Sequence, residues 1–170
     1  EPTAIHGYST MEKVYSFEPT PSELSADEKK YILGAQANVW SEYIPTTEHV
    51  EYMVFPRISA LSEVLWTPAK QKEWKSFQNR MQEQYKRYDA MGINYSRSAF
   101  NVRQQLQVDT VSGSAKVSFA TDAANVKLHY TLDGSEPTAK SQVYNGPFVL
   151  RKTATIRAGA FVDGKLTGKV

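Results

Sequence analysis

A chain of 170 residues with 41% hydrophobic and 22% charged residues has ordinary globular composition, enough for one domain or two small ones. Its formal charge of +2 excludes a strong electrostatic pull toward nucleic acid or a membrane surface. It has no cysteine, which excludes disulfides and thiolate metal sites, and no apolar run reaches the roughly 18 residues of a membrane span.

In chain order, the opening "EPTAIHGYSTMEKVYSFEPTPSEL" lacks the basic start and apolar core of a signal peptide. It reads as a loop already in progress, which leads us to expect a chain that begins inside something larger. "SADEKK" then gives a short helical start. Ser25 can cap it, and Asp27 and Glu28 suit the positive first turn. The next stretch, "YILGAQANVW", reads as a buried strand, and Trp40, Ser41 and Glu42 follow where it gives way to a loop. "TTEHVEYMVF" has helical spacing, with Val50, Met53 and Val54 on one face. Pro56 interrupts or kinks it because proline removes a backbone donor. "RISALSEVLW" resumes with Ile58, Leu61, Val64 and Leu65 on one side. A third helix is expected over roughly residues 70–91, with Trp74, Phe77, Met81, Tyr85 and Tyr88 at three- and four-residue steps and Gly92 as its stop.

After the polar "GINYSRSAFN" the grammar changes. "AKVSFAT", "VKLHYTL", "VYNGPFVL" and "TATIRAGAFV" alternate with period two. Asp133-Gly134, Asn145-Gly146-Pro147 and Asp163-Gly164 separate them as turns, and Asp133-Gly134 reads as a hairpin turn. A last strand is suggested in "GKLTGKV". Short strands at this spacing indicate a small antiparallel sandwich. The expected division is therefore residues 1–96 and residues 97–170.

"ILGAQANVWSEYI" followed by "VEYMVFPRISALSEVLWTP" resembles the end of the catalytic domain of family 20 glycoside hydrolases, the β-N-acetylhexosaminidases. "MEKVYSFEP" and "RYDAMGINYS" are similar to that family's flanking segments. "VKLHYTLDGSEPTAKSQVYNGPFVL" resembles the C-terminal β-sandwich module of chitobiase-like hexosaminidases, an immunoglobulin-like or fibronectin-like fold. The resemblance implies an α+β fragment: the last strand and helices of a (β/α)8 barrel, then the sandwich. Residues 33–40 would be the eighth strand, and the helices over residues 46–66 would close the barrel.

Sites on such barrels gather at the C-terminal ends of the strands. The resemblance therefore implies that Trp40 covers the apolar C–H face of a terminal N-acetylhexosamine, while Glu42 accepts hydrogen bonds from its ring hydroxyls. It further implies an exo-acting, retaining reaction in which the substrate's own acetamido oxygen attacks the anomeric carbon, an exception to the two-carboxylate scheme. The glutamic acid and aspartate of that reaction follow a mid-barrel strand, so no catalytic residue is expected in this chain. The implied partners are glycans ending in N-acetylhexosamine and the remainder of the barrel. No cofactor, nucleic acid or membrane span is implied, and the implied location is the periplasm or cell surface of a bacterium.

Plainer readings stand beside these. A Trp at a strand end is more often core than ligand wall. Asp27-Glu28 has the right residue types for the catalytic pair but sits in a polar helix start, where capping is the better account. Trp66 and Trp74 read as packing, and Arg57 as half of a structural ion pair. His6, His49 and His129 are scattered without metal spacing. The alternative function is a non-catalytic carbohydrate-binding or structural sandwich module on a helical scaffold, with Tyr130, Tyr144 and Phe148 as candidate sugar-facing aromatics.

Overall fold

The computed structural model describes residues 9–169. It is a mixed α+β structure in two compact units, Glu1–Ser96 and Arg97–Val170.

The first unit is helical. Helix α1, Met11–Tyr15, is capped by Thr10, whose hydroxyl accepts from the Lys13 N–H, and it buries Met11 and Tyr15. This corrects the expected loop. The segment is too short to show helical periodicity, but Thr10 supplies the acceptor that the first-turn N–H groups need. Helix α2, Ala26–Lys29, starts at Ser25 as expected. Helices α3, Thr47–Val54, and α4, Arg57–Trp66, flank Phe55 and Pro56, so the proline does separate two helices. Thr46 caps α3 by accepting from the His49 N–H at 3.2 Å.

Helix α5, Trp74–Ala90, buries Phe77, Met81, Tyr85 and Tyr88 along one stripe. It starts later than the pattern suggested, because Glu73 acts as its cap and accepts from the Lys75 and Ser76 N–H groups. It ends at Gly92, which takes a left-handed φ of 70°. The Ile93 N–H reaches Tyr88 O at 2.9 Å and the Gly92 N–H reaches Asp89 O at 3.2 Å. These are the two bonds of a Schellman motif, which glycine enters without a Cβ penalty.

The expected strand over residues 33–40 is not found. Residues 32–40 carry no regular secondary structure, and Leu33 is 97% exposed. A strand is stabilised by its ladder to neighbours, and among the described residues no strand pairs with this segment.

Among its described residues the second unit is an antiparallel sandwich of seven strands: β1 Arg103–Asp109, β2 Ser114–Ala120, β3 Lys127–Thr131, β4 Gln142–Val143, β5 Phe148–Leu150, β6 Arg157–Val162 and β7 Lys165–Thr167. One sheet has the order β1-β2-β5 and the other β4-β3-β6-β7. Val117, Phe119 and Tyr130 form the core, with Leu128, Tyr144, Phe148 and Ile156 packed on it. Asp163-Gly164 makes the two-residue β6–β7 hairpin, with Val162 opposite Lys165. Both turn residues have positive φ, 48° and 76°, as a type I′ turn requires.

Asp133-Gly134 is not a hairpin turn. It opens a long loop between β3 and β4, and Gly134 instead donates to Thr155 O at 2.9 Å. Strand β1 was not expected, because "RQQLQVD" is polar and exposed along its whole length. Its seven-residue ladder with β2 defines it.

Candidate functional site

Trp40 and Glu42 lie at a tight turn. Trp40 has extended backbone, φ −81° and ψ 123°, and precedes the 3-10 turn Ser41–Tyr43. The Ile44 N–H closes that turn on Ser41 O at 3.0 Å. Trp40 is 68% exposed, and Glu42 is exposed one residue into the turn. The turn therefore presents an indole and a carboxylate two residues apart, neither of them in the helical unit's core. Tyr43, the next residue of the turn, is also exposed. This turn thus exposes an aromatic ring and a carboxylate close together in sequence.

The other singled-out residues fall elsewhere. Asp27-Glu28 is part of a capping box. Ser25 Oγ accepts the Glu28 N–H at 3.3 Å, and the Glu28 carboxylate accepts the Ser25 N–H at 2.8 Å. The Ser25 hydroxyl beside it holds the exposed Glu28 carboxyl below the ordinary glutamate range. A general acid needs the opposite shift.

Trp74 packs as expected, with ring centroids 5.3 Å from Tyr15 and 5.6 Å from Phe77. Trp66 does not: it is 88% exposed at the last residue of α4, where the helix stripe has turned away from the core. It lines a groove of about 570 Å³ with Glu63, Phe77, Arg80 and Arg87. Glu63 is already engaged there, accepting from Tyr15 Oη at 3.1 Å and pairing with Arg80.

Arg57 donates to three backbone carbonyls, those of Ser9, Tyr52 and Met53. Its role is structural, and it works by tying α4 to the chain before α1 and to the end of α3. His129 is a buried core histidine. Its Nδ1 lies 2.9 Å from Ser141 O, and its ring is 4.8 Å from Phe161. His49 sits beside Tyr52, and His6 lies outside the described residues. Among the described residues no three His, Asp or Glu side chains gather as metal ligands. Asp133 accepts from the Ser135 hydroxyl at 2.6 Å and the Ser135 N–H at 3.0 Å, and these bonds hold its carboxyl below the usual range.

Of the three candidate sugar-facing aromatics of the sandwich, Tyr130 is core, and Tyr144 and Phe148 are half-buried against it. Tyr130 stacks on Phe148 at 4.8 Å, and Tyr144 meets Phe119 edge-on at 4.9 Å. Tyr130 is buried, and burial raises its phenol above the ordinary range. These rings pack on one another, as the core reading of their alternation expects.

Residues 1–69 match the catalytic domain of glycosyl hydrolase family 20, and residues 106–170 match the chitobiase/β-hexosaminidase C-terminal domain. A β-hexosaminidase of Porphyromonas gingivalis is 38% identical over 168 residues, which are 96% of this chain and 21% of that protein. A β-hexosaminidase of Akkermansia muciniphila is 28% identical over 87 residues, 51% of this chain and 17% of that protein. A β-N-acetylhexosaminidase of Cellulomonas fimi is 25% identical over 92 residues, 54% of this chain and 18% of that protein. The chain thus spans about a fifth of the length of these curated relatives.

Proposed function

Residues 1–69 belong to the catalytic domain of glycosyl hydrolase family 20 and residues 106–170 to the chitobiase/β-hexosaminidase C-terminal domain, and from that premise we propose that the chain is the C-terminal portion of an exo-acting β-N-acetylhexosaminidase. Its first unit is then the end of a (β/α)8 barrel, and residues 33–40 become the eighth strand once the neighbouring strands are present. The single observation that carries the reading of the site is the exposed Trp40 and Glu42 at the tight turn Ser41–Tyr43.

In this reading the Trp40 indole covers the C–H face of a terminal N-acetylhexosamine. The Glu42 carboxylate accepts hydrogen bonds from ring hydroxyls remote from the scissile bond. Both fix the ring so that its 2-acetamido oxygen can reach the anomeric carbon, and held geometry of this kind lowers a barrier. Proton donation to the leaving oxygen and charge balance at the acetamido group fall to a Glu and an Asp outside this chain. Export to the periplasm or cell surface belongs to the same proposal.

The test uses the purified 170-residue chain and an aryl N-acetyl-β-glucosaminide. The proposal expects no turnover above the uncatalysed rate. Turnover by the sequence-verified chain would mean that the acid lies within it.

A further inference from the structure

We propose that strand β1 of the sandwich is a self-association surface, on which a second copy of this chain pairs antiparallel through the same strand. β1 is the outer strand of the sheet β1-β2-β5 and bonds only to β2 within it. An outer strand presents a row of backbone donors and acceptors to any strand that fits. The other outer strands are short: β4 has two residues, and β5 and β7 have three each. β1 has seven, with no proline and no lysine to blunt it.

Its apolar residues point to the same conclusion. The register sets Leu106 opposite Val117 and Val108 opposite Ala115, so both share the face that holds the buried Val117. Yet Leu106 is 52% exposed and Val108 70% exposed. They continue the core face beyond the residues that cover it.

The charges select the occupant. A two-fold antiparallel pairing centred on Leu106 sets Leu106 against Leu106 of the second copy. Gln105 then faces Gln107, and Arg103 faces Asp109, at both ends of the ladder. Opposite charges directly across a ladder stabilise it, and no like charges meet. An isologous contact of this kind closes on itself as a dimer. Arg103 also lies 2.5 Å from Asp122, but a guanidinium has five N–H donors and can serve two carboxylates. Asp109 keeps its turn bonds to Ser112 and Val111, which hold its carboxyl below the ordinary range and so charged.

The experiment measures the mass of the 170-residue chain by sedimentation over a range of concentrations at low and high salt. The expected mass rises from 19.1 kDa toward twice that value as concentration increases, and less so in high salt. Leu106→Lys puts like charges opposite each other at the centre and should weaken association at least about tenfold. Asp109→Asn keeps the turn acceptor and removes the charge, so it should weaken association and abolish the salt dependence, even if Leu106→Lys perturbs folding. A mass that stays at 19.1 kDa up to about 1 mM, the weak end of the affinity scale, overturns the proposal. Association unchanged in both variants overturns it equally.

Discussion

The Glu28 carboxylate accepts from both the N–H and the hydroxyl of Ser25, at 2.8 and 2.6 Å, while the Glu28 N–H returns a bond to Ser25 Oγ. This reciprocal pair starts a helix of only four residues, and it settles what the Asp27-Glu28 dipeptide does here. Glu28 should titrate below an ordinary glutamate when followed by carboxyl NMR, and Ser25→Ala should return it toward the ordinary value. Its folded pKa is lowered, so its contribution to stability is present above the unfolded value of about 4.3 and disappears as pH falls through the folded value. A Glu28 that titrated above the ordinary range would instead reopen the acid reading.

Tyr15 donates to Glu63 at 3.1 Å, which joins α1 to α4, and Arg80 of α5 pairs with the same carboxylate. Tyr15→Phe keeps the ring against Trp74 and Phe77 and removes only the hydroxyl. It should cost about 1 kcal/mol in denaturant unfolding of the 170-residue chain. Burial first, then the bond to Glu63, raises the Tyr15 phenol above its ordinary range. A raised folded value means that this contribution is complete below about pH 10 and is lost as pH rises through the folded value. A mutant whose unfolding curve overlays that of the parent would show the hydroxyl to be idle.

Residues 32–40 carry no regular structure and expose Leu33, Val39 and Trp40. The junction near residues 97–100 differs: it is a 3-10 turn that buries Ala99 and Phe100. Ala99 O accepts from the Thr121 hydroxyl at 2.7 Å and the Ala123 N–H at 2.9 Å. Brief chymotrypsin digestion of the isolated chain should therefore cut within 32–40 before 97–100, since proteases need locally open backbone. First cleavage at the junction would contradict this order.

Much of this structure was legible because local chemistry wrote it. The α5 stripe, the Ser25 cap, Gly92 and the Asp163-Gly164 turn each state their role in a few adjacent residues. The failures share a different cause. β1 is a strand because of its ladder to β2, and its own residues show no buried face. Residues 33–40 have strand composition, but a ladder needs neighbours that the sequence of this segment does not supply. Trp66 is apolar like the buried face of α4, yet it stands two residues, more than half a helical turn, past the buried Val64 and so faces outward. The proposed sugar-wall role of Trp40 and Glu42 rests on the family resemblance alone. Composition alone would have made Trp40 core, and the structure places it in solvent.

The central claim is that Trp40 and Glu42 form a wall of the sugar site, and kcat/KM of Glu42→Gln in the complete catalytic domain tests it most directly. Hydrogen bonds to a charged group contribute roughly 1.5–3 kcal/mol, so the account predicts a fall of about ten- to a hundredfold. Because remote binding holds the ring for attack, kcat should fall as well as KM rise. Trp40→Ala should behave alike, while Trp74→Phe, in the packed Tyr15–Phe77 cluster, should lower stability and leave kcat/KM nearly unchanged. Normal kinetics in Glu42→Gln, with only a lower melting temperature, would contradict the account and make this turn part of the scaffold.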